Sequence, residues 1–402
     1  MQLAEAPYLD IMTPSFSLDS EAFRAARATN WFARMSLGYA VLRYEDCATL
    51  LKEPRLHQAS RVILAMRGVT DGPLVAWWTS TMLNLDGAEH TRLRRLVAKA
   101  FTPPMVERLR PFFRATAERL IDAFAASGHC EFMQAFCEPY PLEGICEMLG
   151  IPHDRRGPFH GWASDLGLIF SQQIGEPAIR ARAEAGLAAL YACADDAIAE
   201  RRRSPGDDLV SGLIAAEAEG DRLTEQELRR MIVGLVFAGN DTTRNQMALG
   251  TIAFMQHRDQ WTLLREQPQL ASRAVDEMMR LYPTIAAAPR VVAEEFVYRD
   301  HRFTAGSVVI LLTSAANVDD RVFGEAPFDI TAERPASHLT FSGGIHRCLG
   351  MWLAKAEMEE ALGALAGRFS AIAPDGEATW EPGLGINGPT TLPLRFEGAR
   401  PH

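Results

Sequence analysis

The pattern of hydrophobic and polar positions predicts a mainly helical protein with one unusually long helix. Thr224 and Glu227 form a T-x-x-E capping box, and a proline-free run follows them to about Gln256. A typical helix has only about 11 to 12 residues. The middle of the run, MIVGLVFAG, is apolar on every side. We therefore expect this helix to pass through the core of the protein.

Strand patterns are fewer and cluster near the two ends of the chain. YAVLRY near residue 40 and TTLPLRF near the C-terminus each predict a strand. EFVYRDHRFTAGSVVILLTS near residue 300 predicts a hairpin that turns at Ala305–Gly306. The chain contains no internal repeat and no Gly/Ser-rich linker. The sequence thus predicts a single domain over residues 1–402, mainly α with small β-sheets.

Composition and charge narrow the class of function. The 402 residues are 48% hydrophobic and 23% charged, and 41 Lys and Arg against 51 Asp and Glu leave a net charge of −10. An acidic chain without long basic runs disfavours nucleic-acid binding. No stretch reaches the roughly 18 to 20 apolar residues of a membrane span, and the N-terminus lacks the features of a secretory signal. We expect a cytoplasmic enzyme that binds neither nucleic acid nor membrane.

Cys348 differs from the other five cysteines. Those five have the apolar neighbours typical of small buried residues, whereas Cys348 lies in the segment FSGGIHRCLG, directly before a predicted helix. Gly343, Gly344 and Gly350 let backbone N–H groups approach a sulfur atom, and a helix N-terminus favours an anion. This environment suits a thiolate that acts as a metal ligand or as a nucleophile. A buried cysteine before a helix is the simpler alternative, which the glycine pattern disfavours.

The same loop resembles the haem-ligand loop of the cytochromes P450. Phe341, Gly344, His346, Cys348 and Gly350 match the family pattern F-x-x-G-x-H/R-x-C-x-G. The resemblance implies the cytochrome P450 fold, with the long central helix over a haem-thiolate site. It also implies that Cys348 is the metal ligand, bound to the iron of haem b, and that Phe341 packs beside the sulfur.

The long helix carries the second match. The segment AGNDTT at 238–243 places an acid, an amide and two hydroxyls in an otherwise apolar helix. Burying such groups without partners costs about 1 to 3 kcal/mol each, so they need partners or a function unless they face solvent. The segment fits the family pattern A-G-x-D/E-T, which implies that Asp241 and Thr242 are the acid–alcohol pair that delivers protons to dioxygen. Gly239 would then allow close approach of helix and ligand, and a local widening of the helix would hold water.

A third motif, Glu277-Met-Met-Arg280, places a carboxylate and a guanidinium on one helix face. Such a pair alone is an ordinary surface ion pair of small energetic value. The motif resembles the family's E-x-x-R, which implies that Glu277 and Arg280 form a buried structural network with Arg334.

A fourth motif, DGAEHTRLRR, places His90 and Arg94 on one helix face. Alone, this pair is typical of a solvated surface. The resemblance implies that His90, Arg94, Arg290 and His346 are donors to the haem propionates, a role that suits arginine because its planar fork binds both oxygens of a carboxylate. The family often has prolines where this chain has Gly-Ala at 87–88.

The resemblance also places the walls of a substrate pocket in four segments, Trp77–Leu85, Phe237–Thr242, Thr284–Ala288 and Leu384–Ile386. The candidate pocket residues are Trp77, Trp78, Phe237, Ala238, Thr284, Ile285, Ala286, Ala287 and Ala288. Pocket walls made of small and aromatic side chains suit a hydrophobic small molecule. Tryptophans are, however, at least as often ordinary residues of the hydrophobic core. AGNDTTRN further resembles bacterial members that oxidise terpenoids, sterol side chains and alkyl chains, which favours such a substrate, with macrolides and aromatics left open.

The reaction that the resemblance implies is hydroxylation by a monooxygenase that uses O2. Because the sequence contains no flavin- or iron–sulfur-binding segment, electrons come from a separate ferredoxin or flavodoxin with its NAD(P)H reductase. One alternative is a peroxygenase on the same fold, which the Asp241–Thr242 pair disfavours. A second alternative is a non-catalytic haem-thiolate ligand sensor, which needs no proton-delivery pair.

A chain with a net charge of −10 repels an acidic ferredoxin, so docking of this partner requires a local basic patch. Four residues on the predicted proximal face are candidates for this patch: Arg92, Arg95, Arg347 and Lys355. Solvated charge without a partner is an equally good interpretation of each of them.

Overall fold

Helices form most of the structure. The protein is described by a computed structural model that covers residues 6–11, 13, 16–153, 156–218, 221–380 and 386–398. In these residues the α-helices are α1 (Glu21–Thr29), α2 (Tyr44–Leu50), α3 (Ser60–Met66), α4 (Pro73–Thr79), α5 (Gly87–Ala100), α6 (Pro103–Ala125), α7 (Pro139–Met148), α8 (Phe159–Gly167), α9 (Pro177–Arg203), α10 (Leu209–Ala215), α11 (Glu225–Gln256), α12 (Arg258–Glu266), α13 (Ala271–Leu281), α14 (Thr313–Ala316), α15 (Asp320–Phe323) and α16 (Met351–Arg368).

Short strands lie around this helical body. In the described residues they are β1 (Phe32–Met35), β2 (Gly38–Val41), β3 (Leu56–Gln58), β4 (His129–Glu131), β5 (Glu217–Ala218), β6 (Asp221–Arg222), β7 (Ala288–Val292), β8 (Phe296–Tyr298), β9 (His301–Phe303), β10 (Val308–Leu311), β11 (Ala371–Pro374), β12 (Thr379–Trp380), β13 (Pro389–Thr391) and β14 (Pro393–Glu397). The fold class predicted from the sequence, mainly α with small β-sheets, is confirmed.

The long helix α11 has the predicted bounds. It runs for 32 residues, Thr224 is its N-cap, and Thr224 and Glu227 form the reciprocal capping box. The helix packs against α7, α8, α9 and α13. Val233, Val236 and Phe237 are buried in its middle. The prediction of a helix that passes through the core is therefore confirmed.

The largest sheet carries one functional candidate, Arg290, on its strand β7. Its strand order is β1-β2-β10-β7-β3, with β10 parallel to β2 and antiparallel to β7. Across β7 and β3, Arg290 is directly opposite Gln58. A second sheet has the order β11-β14-β4, and three two-stranded ribbons pair β5 with β6, β8 with β9, and β12 with β13. The strands predicted at YAVLRY and TTLPLRF correspond to β2 and to β13 with β14.

The hairpin predicted near residue 300 exists, but its predicted turn position is wrong. The hairpin is β8–β9, and it turns at Arg299 and Asp300 rather than at Ala305–Gly306. Gly306, with φ of +84°, instead redirects the chain into β10, which joins the large sheet. All four residues of β10 are buried. A strand buried along its whole length needs neighbours on both sides, and that requirement outweighs the local hairpin pattern.

A buried ion network ties α13 to the segment that leads to Cys348. The Glu277 carboxylate accepts hydrogen bonds from Arg280 Nε at 2.9 Å and Nη2 at 2.8 Å, and from Arg334 Nη2 at 2.5 Å. Burial raises the pKa of Glu277, but the hydrogen bonds from both arginines outweigh it and hold that pKa below its ordinary value. Breaking such a buried pair costs about 3 to 5 kcal/mol. We infer that this E-x-x-R network has the structural role predicted for it.

Among the described helices, none combines the length and the apolar character needed to cross a membrane.

Candidate functional site

The loop around Cys348 holds its thiol at the entry to α16. The Cys348 backbone N–H donates to the Phe341 carbonyl at 2.9 Å, and α16 begins at Met351. Gly344 has φ of +63°, and a Cβ there would lie 2.5 Å from the Leu51 carbonyl oxygen, so this position requires glycine. All six cysteines lie in the described residues, and Cys348 is the only exposed one.

The surroundings of the sulfur both oppose and favour its ionisation. Although the residue is exposed, protein atoms surround the sulfur closely enough to raise the pKa of the Cys348 thiol. The Gly350 N–H, which donates to the sulfur, and the Arg94 and Arg347 guanidinium groups lower that pKa in part. Coordination to a metal ion deprotonates a thiol outright. The loop therefore offers a hydrogen-bonded, positively charged position for a metal-bound thiolate.

The predicted propionate donors come together from three elements. His90 and Arg94 lie on α5, Arg290 lies on β7, and His346 lies in the Cys348 loop. The rings of His90 and His346 have centroids 4.6 Å apart. Arg94 Nη2 donates to the Arg347 carbonyl at 2.6 Å. Arg290 is 4% exposed, and its Nη1 donates to Gln58 Oε1 at 3.0 Å.

Asp86, which the sequence analysis missed, connects these donors. Its carboxylate accepts a hydrogen bond from the Gln58 backbone N–H at 3.0 Å and lies 2.8 Å from His346 Nε2. Burial raises the pKa of Asp86, but the His346 and Gln58 hydrogen bonds outweigh it and leave the pKa below its ordinary value. The available signal was an acidic residue directly before the helix that carries His90, a position where capping residues are usual. Asp86 orients His346 instead of capping the helix.

This cluster has more positive than negative groups. Burial, His346 and Arg94 lower the pKa of His90 to about 4, and burial lowers the pKa of Arg290 to about 10, with Asp86 opposing in part. Among the described residues, the buried His90 Nδ1 has no hydrogen-bond partner. Buried cations and an unpaired ring nitrogen are stabilised by added carboxylates. The cluster therefore fits the two propionates of a haem.

Asp241 lies on α11, and its carboxylate is buried beneath α8. Its Oδ1 accepts a hydrogen bond from Asn240 Nδ2 at 3.1 Å and lies 3.6 Å from Arg244 Nη1. Burial raises the pKa of Asp241, and Arg244, His160 and Asn240 oppose the shift. A Cβ at Gly167, the last residue of α8, would lie 2.5 Å from Asp241 Oδ2, so α8 covers this carboxylate closely. The sequence analysis did not identify these neighbours.

Two details predicted for this part of α11 are wrong. The helix is continuous α-helix through Thr242, without the predicted widening. The Thr242 hydroxyl donates to the Ala238 carbonyl at 2.7 Å. Gly239 was expected to let the helix approach a ligand. A Cβ there would instead lie 2.8 Å from Ile145 Cδ1, so the glycine allows close packing of α11 on α7.

The aromatic residues predicted to line a pocket pack against one another, and a fourth ring joins them. Trp77 and Trp78 on α4 contact Phe237 on α11, with ring centroids 5.4 Å and 5.3 Å away. Phe170, which the sequence analysis missed, lies 5.6 Å from Trp78 and 5.3 Å from Phe237. Trp77 is only 2% exposed, so much of this cluster is core. Ala238, next to Phe237, is half-buried.

The Thr284–Ala288 segment was predicted to line a pocket, but its first and last residues are buried in contacts with other parts of the protein. The Thr284 hydroxyl donates to the Asn387 carbonyl at 2.8 Å, and the Thr284 side chain is buried. Ala288 is buried in β7. Ile285, Ala286 and Ala287 are half-buried, so these three, rather than Thr284 and Ala288, are available to line a pocket. Of the predicted Leu384–Ile386 segment, positions 384 and 385 lie outside the described residues.

Arg92 and Lys355, two of the four basic residues predicted for docking, pair with carboxylates of other elements. Arg92 forms ion pairs with Asp221, at 3.3 Å, and with Glu227, and Lys355 Nζ lies 2.7 Å from Asp276 Oδ1. These contacts join elements far apart in sequence, so the local pattern did not predict them.

Arg347 and Arg95 are exposed as predicted. Near Arg347 in sequence, Ile345 and Trp352 are exposed at 48% and 56%, an apolar feature that the sequence analysis missed.

Comparison with known proteins gives consistent results. A family model described as Cytochrome P450 matches residues 189–383. The chain is 39% identical to luteothin monooxygenase from Streptomyces thioluteus, over 98% of this chain and 97% of that protein. It is 30% identical to steroid C26-monooxygenase from Mycobacterium tuberculosis, over 99% and 100% of the two chains. The structure of cytochrome P450 CYP109Q5 from Chondromyces apiculatus is similar with a TM-score of 0.85 and 31% identity, over 98% and 99% of the two chains.

Similarity to named monooxygenases over nearly the whole chain, together with the position of Cys348 in its loop, defines a haem-thiolate oxidoreductase. The chain belongs to the cytochrome P450 family, and it is a monooxygenase of that family.

Proposed function

We propose that the protein binds haem b through Cys348 and hydroxylates a hydrophobic small molecule with O2. The observation that supports this most strongly is Cys348 itself, an exposed residue whose sulfur accepts a hydrogen bond from the Gly350 N–H and which lies in the same loop as His346 of the propionate cluster, formed by His90, Arg94, Arg290 and His346. A haem-thiolate centre supplies dioxygen activation, and electron density from the thiolate favours O–O cleavage.

The residues of this chain have separate tasks in holding the haem. Cys348 supplies the thiolate ligand, with the Gly350 N–H stabilising its negative charge. Arg94 and Arg290 supply positive charge and hydrogen-bond donors for the propionates, and His90 supplies a ring nitrogen that is unpaired among the described residues. Asp86 holds His346 in position. Phe341 contributes its carbonyl, which fixes the Cys348 backbone.

Truncating either arginine of the propionate cluster should weaken haem binding. Arg94→Ala and Arg290→Ala should each cost about 1.5 to 3 kcal/mol of haem affinity, as expected for hydrogen bonds to charged groups. Haem transfer to excess apomyoglobin, followed by absorbance, measures the loss. Arg302→Ala, which removes an exposed arginine of β9, is the control and should retain haem as the unmodified protein does. Unchanged retention in both test variants would contradict the assignment.

We infer that Asp241 and Thr242 deliver protons to the reaction site. A buried acid with a raised pKa holds its proton to higher pH than an exposed one, which suits a general acid. We propose that His160 links this acid to solvent, because its side chain is 40% exposed and it lies close enough to Asp241 to lower the pKa of that carboxyl. The Glu138 carboxylate, 3.5 Å from His160 Nε2, holds that imidazole.

The substrate that we propose is terpenoid, sterol or alkyl-chain in type. The rings of Trp78, Phe170 and Phe237 and the small side chains of Ala286 and Ala287 supply apolar walls with few polar groups. Similarity to a steroid C26-monooxygenase supports this class, and similarity to luteothin monooxygenase adds luteothin as a compound to test.

Cytochrome P450 monooxygenases receive electrons from redox partners, and we propose an acidic ferredoxin or a flavodoxin with an NAD(P)H reductase for this one. Exposed Arg347 and Arg95 supply positive charge against a net charge of −10. Ile345 and Trp352 supply exposed apolar area beside Arg347. Aromatic residues and arginines dominate the energetics of protein interfaces. Of the four residues predicted for docking, Arg92 and Lys355 are used by internal ion pairs.

The test is a substrate screen followed by reconstituted turnover. Steroids, terpenoids, long-chain alkyl compounds and luteothin should be tested for displacement of the ferric Soret band. A compound that binds should be hydroxylated when O2, ferredoxin, reductase and NADPH are supplied, with one oxygen atom from ¹⁸O2 in the product. Turnover with hydrogen peroxide alone, and none with the reductase system, would indicate a peroxygenase. Binding without product in either system would indicate a ligand sensor.

A further inference from the structure

A cavity of about 220 Å³ lies outside the aromatic wall, between α4, α9 and the start of α11. Its apolar side is formed around Trp77 of α4. Its polar side is formed by Tyr191 of α9 and by Gln226, Arg229 and Arg230 of α11. This volume corresponds to several water molecules, so it accommodates a group of several non-hydrogen atoms.

The two arginines of the cavity differ in their partners. Arg229 Nε lies 2.5 Å from Asp195 Oδ1, and the Arg229 guanidinium stacks on the Tyr191 ring at 4.8 Å from its centroid. Arg230 hydrogen-bonds the Tyr191 hydroxyl. Among the described residues, no carboxylate forms an ion pair with Arg230. The cavity wall therefore carries one guanidinium that has no counter-ion.

Trp77 provides a second, independent feature. Its side chain is almost wholly buried, with 2% exposure, and it lines the cavity. Among the described residues, its Nε1–H has no hydrogen-bond partner. Buried donors are rarely left unpaired, since an unpaired one carries its full desolvation penalty. A hydrogen-bond acceptor within reach of this N–H removes that penalty.

We propose that this cavity binds the carboxylate of a small organic acid. Arg230 supplies the charge-assisted hydrogen bonds, the Trp77 indole N–H supplies a further donor, and the apolar part of the acid packs on α4. Gln226, which is exposed at the rim, adds an amide donor. Carboxylate recognition at this position lies outside the haem-binding residues and does not depend on the proposed substrate.

The cavity is linked to the aromatic residues proposed to line the substrate pocket by one ring contact. The Trp77 ring lies 5.4 Å, centroid to centroid, from Phe237. Phe237 belongs to the same helix as Arg229 and Arg230. An acid that contacts Trp77 is therefore one ring contact away from Phe237.

The test uses the reduced, carbon-monoxide-bound holoprotein labelled with ¹⁵N at its seven tryptophans. The Trp77 indole resonance is assigned with Trp77→Phe, and octanoate is the probe. Octanoate should shift this resonance saturably. Octanamide, which has the same shape and no charge, should not. In Arg230→Gln the dissociation constant for octanoate should rise at least about ten-fold, as expected for loss of a hydrogen bond to a charged group.

Arg258→Gln, which removes an exposed arginine at the start of α12, is the matched control and should bind octanoate as the unmodified protein does. An unchanged dissociation constant in Arg230→Gln overturns the proposal, and so does an equal response to octanamide. Displacement of the ferric Soret band by octanoate without a shift of the Trp77 resonance also overturns it, because the acid then occupies the haem side alone. The carbon-monoxide spectrum of each variant reports the haem-thiolate centre separately.

Discussion

Replacing Cys348 by histidine should move the Soret band of the reduced, carbon-monoxide-bound protein to the position of histidine-ligated haem, and should abolish hydroxylation. A neutral imidazole in this loop donates less electron density to iron than a thiolate does, so O–O cleavage loses its main support. None of the five remaining thiols lies in this loop: Cys47, Cys137 and Cys146 are buried, and the half-buried Cys130 and Cys193 lie on β4 and α9. We expect turnover to fall below detection while far-ultraviolet circular dichroism stays unchanged.

Cys193→Ser is the matched control for this experiment. Cys193 is a half-buried thiol on α9, away from the Cys348 loop in sequence, so its replacement should leave both the thiolate spectrum and turnover intact. A thiolate-type spectrum retained in Cys348→His would show that another residue is the ligand.

Thr242→Ala should divert electrons from product to hydrogen peroxide without loss of substrate binding. The hydroxyl makes one hydrogen bond, to the Ala238 carbonyl, which keeps its partner in the helix ladder when the hydroxyl is lost. The fold is therefore preserved, while the reaction site loses a group that donates and accepts protons. The measurement is product formed per NAD(P)H consumed, together with hydrogen peroxide released, on a substrate that shifts the ferric Soret band.

Asp241→Asn should slow turnover by about 10²-fold or more, the usual contribution of a general acid. Asparagine keeps the shape of the side chain and its place beside Asn240, but it carries no proton to donate. Its main effect should be on rate, since the acid relays protons from the His160 side, whereas Thr242 acts at the reaction site.

Thr251→Ala is the matched control for both substitutions. Thr251 is buried on the same helix, and its hydroxyl likewise donates to the carbonyl four residues earlier, that of Met247, at 2.9 Å. This variant should keep the product ratio and the rate. An unchanged ratio in Thr242→Ala, together with an unchanged rate in Asp241→Asn, would remove proton delivery from this pair.

Local patterns in the sequence predicted the long helix and the loop around Cys348. The bounds of α11 follow from a capping box, an unbroken helical run and the absence of proline, all of which act between residues within four positions of each other. One glycine of the Cys348 loop has the same property, because Gly344 has φ of +63°, a local backbone conformation that favours glycine.

Contacts between distant segments were decided only by the tertiary structure. The place of β10 depends on β2 and β7, which lie on either side of it in the sheet. The role of Asp86 depends on His346, 260 positions away, and the neighbour of Gly239 is Ile145 on α7. The same holds for Lys355, which Asp276 neutralises. A sequence motif specifies which groups are present and how one element orients them, whereas burial and partner are set by how the elements pack together.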